Sequence, residues 1–300
     1  MPSSITCRGR QFVLRHVVSK SGLALPVIGL GTWRMGEDPG ARAAETAAVR
    51  VALELGYRLI DSAEMYGDGG AERIVGRAVG SALRSGHVRR DELVVVSKVY
   101  PHNAGRDDLP AACGRSLRRL GLDRIDLYLL HWRGAVPLAE TVQAMLDLQA
   151  RGRIGAWGVS NFDRADLIEL DTACSAAGAA VCAANQVCYS VRSRGVEFDL
   201  LQWQRTQGMA LMAYSPIDQG AIANDTALAR VGERQGASAA QIALARLLAQ
   251  PGVVAIPKAV RAEHLRANLD AAAIALAPAD IAEIDRAHPP PRRATPLAML

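Results

Sequence analysis

LVVVSK (93–98) and IDLYLLH (125–131) each run almost without polar interruption and then stop on a residue able to carry charge. A near-continuous β-rich apolar run fits a parallel strand covered on both faces. Six more such runs lie on either side: VIGLG (27–31), YRLID (57–61), IGAWGVSN (154–161), VCAANQV (181–187), MALMAYS (209–215) and VVAIPK (253–258). Amphipathic segments of helical period separate them, among them AERIVGRAVGSAL (71–83), PLAETVQAMLDLQA (137–150) and SAAQIALARLLAQ (238–250). Asp163 before RADLIEL and Ser238 before AAQIAL are helix-start residues. Successive strand ends are about one βα unit apart. Eight parallel units with right-handed crossovers predict an α/β fold, a closed (β/α)8 TIM barrel, as one domain over residues 1–300. A doubly wound open sheet is the alternative. FVLRHVVSKSGLALPV (12–27) reads as an N-terminal β-hairpin turning at Lys20, Ser21 and Gly22. HPPPRRATPLAML (288–300) reads as a mobile tail.

Composition narrows the function. The chain has 300 residues, half of them hydrophobic and 22% charged, so it can bury a core without a disulfide or metal staple. Mean hydropathy is +0.07 and no run has the length of a membrane span. MPSSITCRGR (1–10) has no apolar core, so the expected location is the cytoplasm, with no membrane partner. Cysteines at 7, 113, 174, 182 and 188 are odd in number and form no CxxC, which points to reduced, buried thiols. The scattered histidines show no metal-binding spacing. The net charge of +5 could suit nucleic acid, but the arginines are dispersed among acidic residues and aromatics are few. An anionic small molecule explains the charge without nucleic acid. The expected assembly is a monomer or weak homo-oligomer.

In a barrel, the residues that end the runs converge on the C-terminal face, where active sites of this fold lie. They are Gly31, Asp61, Lys98, His131, Ser160 with Asn161, Gln186, Ser215 and Lys258. Tyr66 follows Asp61 in DSAEMYGDGG. A phenol near pKa 10 gives up its proton reluctantly, and an adjacent ammonium favours its phenolate. Asp61 would hold Lys98, and His131 could donate a hydrogen bond to a substrate oxygen. Together these four can protonate a carbonyl becoming an alkoxide. Lysine occurs only at 20, 98 and 258, so arginine supplies nearly all of the 35 basic residues. A lysine retained against that bias is expected to be needed as a compact ammonium.

GLGTW (29–33), DSAEMYG (61–67), SK (97–98), DLYLLHW (126–132), GVSNF (158–162), NQV (185–187), AYSP (213–216) and IPK (256–258), in this order, resemble the aldo-keto reductase superfamily over roughly residues 12–288. SKVYPHNAGR and NQVCYSVRSRGVEFDLL are similar to a bacterial branch that includes methylglyoxal reductases. The resemblance implies NADPH-dependent reduction of small aldehydes or α-dicarbonyls on a (β/α)8 barrel. It makes Asp61, Tyr66, Lys98 and His131 the catalytic set, with Tyr66 the proton donor. A double-bond-reducing branch carries Glu where His131 stands, which favours carbonyl reduction here. The alternatives are a sugar or keto-acid reductase on the same site, or a cofactor-binding redox-sensing subunit with little turnover.

By the same resemblance, Ser160, Asn161 and Gln186 hold the nicotinamide amide and Tyr214 stacks on its ring. Lys258 meets the adenosine phosphate and Asn268 the adenine. Gly31, Thr32, Trp33, Ser215, Pro216, Ile217 and Pro257 complete the implied cofactor contacts. Ala259 and His264 stand where the common pattern has Ser and Arg for the 2′-phosphate, so NADH use is also implied as possible. Trp33, Tyr66, His131 and Trp132 are expected to line the substrate mouth, with no metal involved.

Overall fold

The computed structural model describes residues 4–7 and 10–299. Two antiparallel pairs come first. β1 (Ser4–Cys7) pairs with β2 (Arg10–Val13), and β3 (His16–Val18) with β4 (Ala24–Pro26). The hairpin expected over 12–27 is the second pair, and it begins later than its apolar start at Phe12 suggested. Its turn falls where expected: Gly22 adopts φ 84° and donates to the Ser19 carbonyl at 2.9 Å. β1, SITC, alternates polar and apolar residues over only four positions, and β2, RQFV, does not alternate, so neither was announced.

All eight apolar runs contribute to one parallel sheet. Its strands are β5 (Leu30–Gly31), β6 (Leu59–Asp61), β7 (Val94–Val99), β8 (Ile125–Leu130), β9 (Ile154–Ser160), β10 (Ala184–Cys188), β11 (Ala210–Tyr214) and β12 (Val253–Ala255). They are arranged in sequence order, each paired to the next. The ends also meet: Ile28 bridges Ala255 and Gly31 bridges Lys258, both parallel. Gly29 N–H donates to Ala255 O at 2.9 Å, and Gly31 N–H to Pro257 O at 3.1 Å. The sheet is therefore a closed barrel, not the open alternative. Gly31 permits this seam, because a Cβ there would stand 2.6 Å from the Ile256 carbonyl oxygen. Regular pairing in β12 stops at Ala255, short of the VVAIPK run, because Pro257 has no N–H to continue a ladder.

Helices fill the connections: α1 (Arg42–Leu55), α2 (Gly70–Arg84), α3 (Asp108–Leu120), α4 (Leu138–Ala150), α5 (Arg164–Ala176), α6 (Leu200–Gln207), α7 (Thr226–Gln235), α8 (Ala239–Leu248), α9 (Ala262–Asp270) and α10 (Pro278–Ala287). Asp163 and Ser238 cap α5 and α8 as their types suggested, each in a reciprocal capping box. Two apolar layers result. Leu59, Val96, Leu127, Leu129, Met212 and Val254 fill the barrel interior, with Leu25 of β4 plugging it. Ile60, Val95, Tyr128, Leu130, Trp157 and Val159 face the helices. Cys113, Cys174, Cys182 and Cys188 are buried free thiols. No helix among the described residues is long and apolar enough to cross a membrane.

Among the described residues, the C-terminal stretch has no helix or strand after His288 and is mostly exposed, but it touches the body at several points. Arg194, itself buried, donates to the His288 carbonyl and pairs with Asp285 at 2.8 Å. Leu297 packs against the core, and Met299 reaches the large cavity at the barrel mouth.

Candidate active site

Side chains alternate along a strand, so the residue two beyond an inward one also points inward. Leu59, Val96, Ala184 and Met212 lie in the barrel interior. Two residues on are Asp61, Lys98, Gln186 and Tyr214. His131 follows inward Leu129 in the same way. Pleating thus aims five polar or aromatic groups into one end of a hydrophobic tube. The apolar layer beneath denies them water, so they must satisfy one another.

Lys98 shows the result. Its ammonium is inaccessible and donates to Asp61 Oδ2 at 2.7 Å, Ser62 O at 2.9 Å and Tyr66 Oη at 3.1 Å. An ammonium has three protons, and all three are used. Burial pulls the Lys98 pKa down, but the charges and hydrogen bonds of Asp61 and Tyr66 win and raise it above the usual lysine value. Burial also raises the Tyr66 pKa, and Lys98 offsets only part of that effect. Here the sequence expectation needs correcting in emphasis: the ammonium does favour phenolate, yet desolvation outweighs it, and Tyr66 rests as a protonated phenol.

His131, 6% exposed, sits edge-on to Tyr66 with ring centroids 5.8 Å apart. Burial, aided by the Lys98 charge, holds its pKa down to about 2, so the ring is neutral. Nδ1 is buried without a partner among the described residues, which leaves Nε2 as the nitrogen open to the cavity. A buried N–H without an acceptor costs more than a bare ring nitrogen, which places the proton on Nε2.

The loop bearing Tyr66 is tied down. Glu64 accepts from Tyr100 N–H at 2.8 Å and from Asn103 Nδ2 at 3.1 Å, joining the loops after β6 and β7. Six non-glycine residues of the described chain have positive φ: Arg34, Asp68, Asn161, Ser215, Asp218 and Gln219. All lie in loops that follow barrel strands at this end. Such strain concentrates where surrounding structure over-determines a site.

The cavity here has a volume of about 480 Å³. The predicted residues Gly31, Trp33, Asp61, Tyr66, His131, Trp132, Ser160, Asn161, Gln186, Tyr214, Ser215, Pro216, Ile217, Lys258 and His264 all line it. Lys98 stands behind Asp61 and Tyr66. Four expected contacts do not line it. Thr32 is buried, its hydroxyl donating to Asp61 O at 2.9 Å. Pro257, Ala259 and Asn268 are buried behind the wall. Sequence reading missed Arg34, Met65, Gln219, Gly220, Ile256 and Met299. Arg34 directly follows GLGTW and stacks over Trp33 at 4.5 Å, a signal that was available. Met299 had none.

Asn161 is largely engaged: Oδ1 accepts from Tyr214 Oη at 2.9 Å, and Nδ2 donates to His131 O at 3.1 Å. Ser160 Oγ donates to Gln186 O at 2.9 Å and accepts from Asn161 Nδ2 at 3.3 Å. Arg261, absent from the sequence reading, places Nη2 2.6 Å from Nε2 of His264, which shares the cavity wall with exposed Lys258.

Residues 27–289 match the aldo/keto reductase family. The chain is 45% identical over 283 residues to methylglyoxal reductase YeaE of Escherichia coli strain K12, covering 93% of this chain and 96% of that protein. It is 34% identical over 265 residues to the glyoxal reductase of Bacillus subtilis strain 168, covering 88% and 90%. An aldo/keto reductase from Klebsiella pneumoniae, crystallised with NADP and acetate, superimposes with a TM-score of 0.87 at 43% identity, covering 96% of this chain and 100% of that one. Closed barrel, buried Asp–Lys–Tyr chain and family match agree: the chain belongs to the aldo/keto reductase family of oxidoreductases.

Proposed function

We propose that this protein reduces small aldehydes and α-dicarbonyls with NADPH, using Tyr66 as the proton donor. The observation that carries the reading is the Tyr66 phenol on the cavity wall, 3.1 Å from a buried ammonium whose other bonds are fixed. Names of similar proteins support the substrate class: methylglyoxal reductase in E. coli and glyoxal reductase in B. subtilis. A related aldo-keto reductase from K. pneumoniae was crystallised with NADPH.

The residues present fit a nicotinamide. The Gln186 side-chain oxygen is an acceptor at the cavity wall, and Asn161 Nδ2 and Ser160 Oγ meet there in a long 3.3 Å hydrogen bond whose donor and acceptor a carboxamide would take up in its place. Two acceptors and one donor complement a primary carboxamide. Tyr214, half-buried beside them, offers an aromatic surface, and exposed Lys258 offers a cation to a phosphate. When bound, the cofactor supplies a hydride to the carbonyl carbon.

The protein's own groups handle the oxygen. Neutral His131 donates Nε2–H to it and fixes its orientation. Tyr66 Oη–H, held at its pKa by burial, transfers its proton as negative charge develops. Lys98 stays charged and stabilises the resulting phenolate, which costs little reorganisation because Asp61 and Ser62 O already hold it. Trp33 and Trp132 wall the mouth with apolar surface suited to small substrates.

The test is a panel of 2-oxoaldehydes, simple aldehydes, sugars and keto acids, following NADPH absorbance. The expected ranking puts 2-oxoaldehydes and small aldehydes highest in kcat/KM. Tight NADPH binding with negligible turnover of every member would overturn the reading in favour of a redox-sensing role.

A further inference from the structure

Asp61 is 2% exposed, and its two oxygens have different partners. Oδ2 accepts from Lys98 Nζ at 2.7 Å. Oδ1 accepts from Gln186 Nε2 at 2.7 Å, a contact between residues 125 positions apart, reaching across the barrel from β10 to β6. A carboxylate oxygen only accepts, so the amide nitrogen must be the end facing Asp61. The amide oxygen of Gln186 is therefore turned away from Asp61. It has no partner among the described residues and is not among the buried unsatisfied atoms, so it opens to the cavity that Gln186 lines.

We infer that Gln186, beyond the nicotinamide contact that the family resemblance already implies, is a positioning residue for the proton donor: its Nε2 end fixes the plane of the Asp61 carboxylate. The inference rests on the reading that Tyr66 donates the proton. The geometry leaves little alternative support for the carboxylate. Among the described residues, Gln186 Nε2 is the donor that meets Asp61 Oδ1. Without Gln186, the carboxylate loses one of its two bonds and can turn about its Cβ–Cγ bond. Lys98 uses all three protons on Asp61, Ser62 O and Tyr66, so a turned carboxylate drags the ammonium with it. The displaced distance is then the one to Tyr66 Oη, the longest of the three.

The same amide links the two halves of the site. Hydrogen bonds in a chain polarise one another. A donor meeting the Gln186 oxygen strengthens its Nε2–H toward Asp61 and so eases the grip of Asp61 on Lys98. Cofactor occupancy is thereby felt at Tyr66 through one side chain. The ionisable groups facing Tyr66 are Asp61 from β6, Lys98 from β7 and His131 after β8; His131 is neutral.

The test separates positioning from simple cofactor contact by omitting the cofactor. Tyrosine labelled with 13C at Cζ is titrated in the cofactor-free protein, with the Tyr66 resonance assigned by its loss in Tyr66→Phe. Gln186→Met keeps the length and removes the amide. We expect its Tyr66 titration midpoint to rise by half a pH unit or more, and kcat at saturating NADPH to fall about 10-fold. Gln186→Asn keeps an amide on a stem too short to serve both ends, and gives the same shift if the Met variant does not fold. An unchanged Tyr66 titration, with effects confined to KM for NADPH, would overturn the inference. The readings fail separately: full activity of Tyr66→Phe would remove the proton-donor role, whereas the cofactor-free titration would still report whether Gln186 holds Asp61.

Discussion

Lysine is scarce in this chain, and the surroundings of Lys98 show why arginine would not serve. Three acceptors surround one nitrogen in three directions. A guanidinium is planar and spreads its donors over three nitrogens, so it cannot meet that set from a point. Lys98→Arg is predicted to fold and bind NADPH while losing about 100-fold in kcat, the scale of disabled acid–base chemistry. Circular dichroism and an NADPH titration provide the controls; more than half the original kcat would contradict the argument. His131 makes a prediction about stability. Its pKa is held to about 2 in the folded protein, against 6.5 ordinarily. Below about pH 6.5 the unfolded chain binds a proton that the folded one refuses. The contribution is therefore present above that pH and is lost as pH falls toward 2, at about 1.4 kcal/mol per unit. Between about pH 7 and 4.5, urea denaturation should show wild type losing about 2.5 kcal/mol more than His131→Asn. Equal losses would mean that His131 is protonated in the folded state.

At the scale of elements, the sequence announced strands better than their ends. Asp61, Lys98, His131 and Gln186 were legible because each breaks an apolar run at the mouth of a parallel strand. The bond between Gln186 and Asp61 was not legible, because strand order gives neighbours but not contacts across a barrel. Thr32 and Pro257 sit within the motifs, and Ala259 and Asn268 beyond them, yet all four are buried and do not line the cavity. The contacts of the C-terminal stretch were not legible for a related reason: the residue that holds its start, Arg194, lies far away in the loop after β10. Met299 ends up on the cavity wall, 57% exposed. A half-exposed Met contributes about 1 kcal/mol of apolar contact. Deleting residues 297–300 is predicted to raise KM for an alkyl aldehyde about 5-fold and leave KM for NADPH unchanged. Unchanged KM for the aldehyde would show that Met299 does not meet substrate.

At the scale of the molecule, closure is what turns eight separate strand ends into one site. The seam between β5 and β12 brings Gly31 against Lys258, so the cation falls on the same cavity wall as the strand-end groups. A ligand that spans this mouth contacts many strands and stabilises the whole barrel. At 100 times its Kd, NADPH should add about 2.7 kcal/mol to unfolding free energy. Lys258→Ala is predicted to weaken that stabilisation for NADPH but hardly for NADH, measured by thermal unfolding at matched concentrations. Equal weakening for both cofactors would place Lys258 away from the extra phosphate.

The central claim is that the barrel mouth holds a neutral phenol ready to give its proton. The most direct measurement is single-turnover reduction of methylglyoxal by Tyr66→Phe preloaded with NADPH. A loss of about 100-fold or more in the rate of NADPH oxidation, with cofactor affinity retained, is the predicted result. A rate within about 2-fold of wild type would contradict it, because another group would then have to supply the proton.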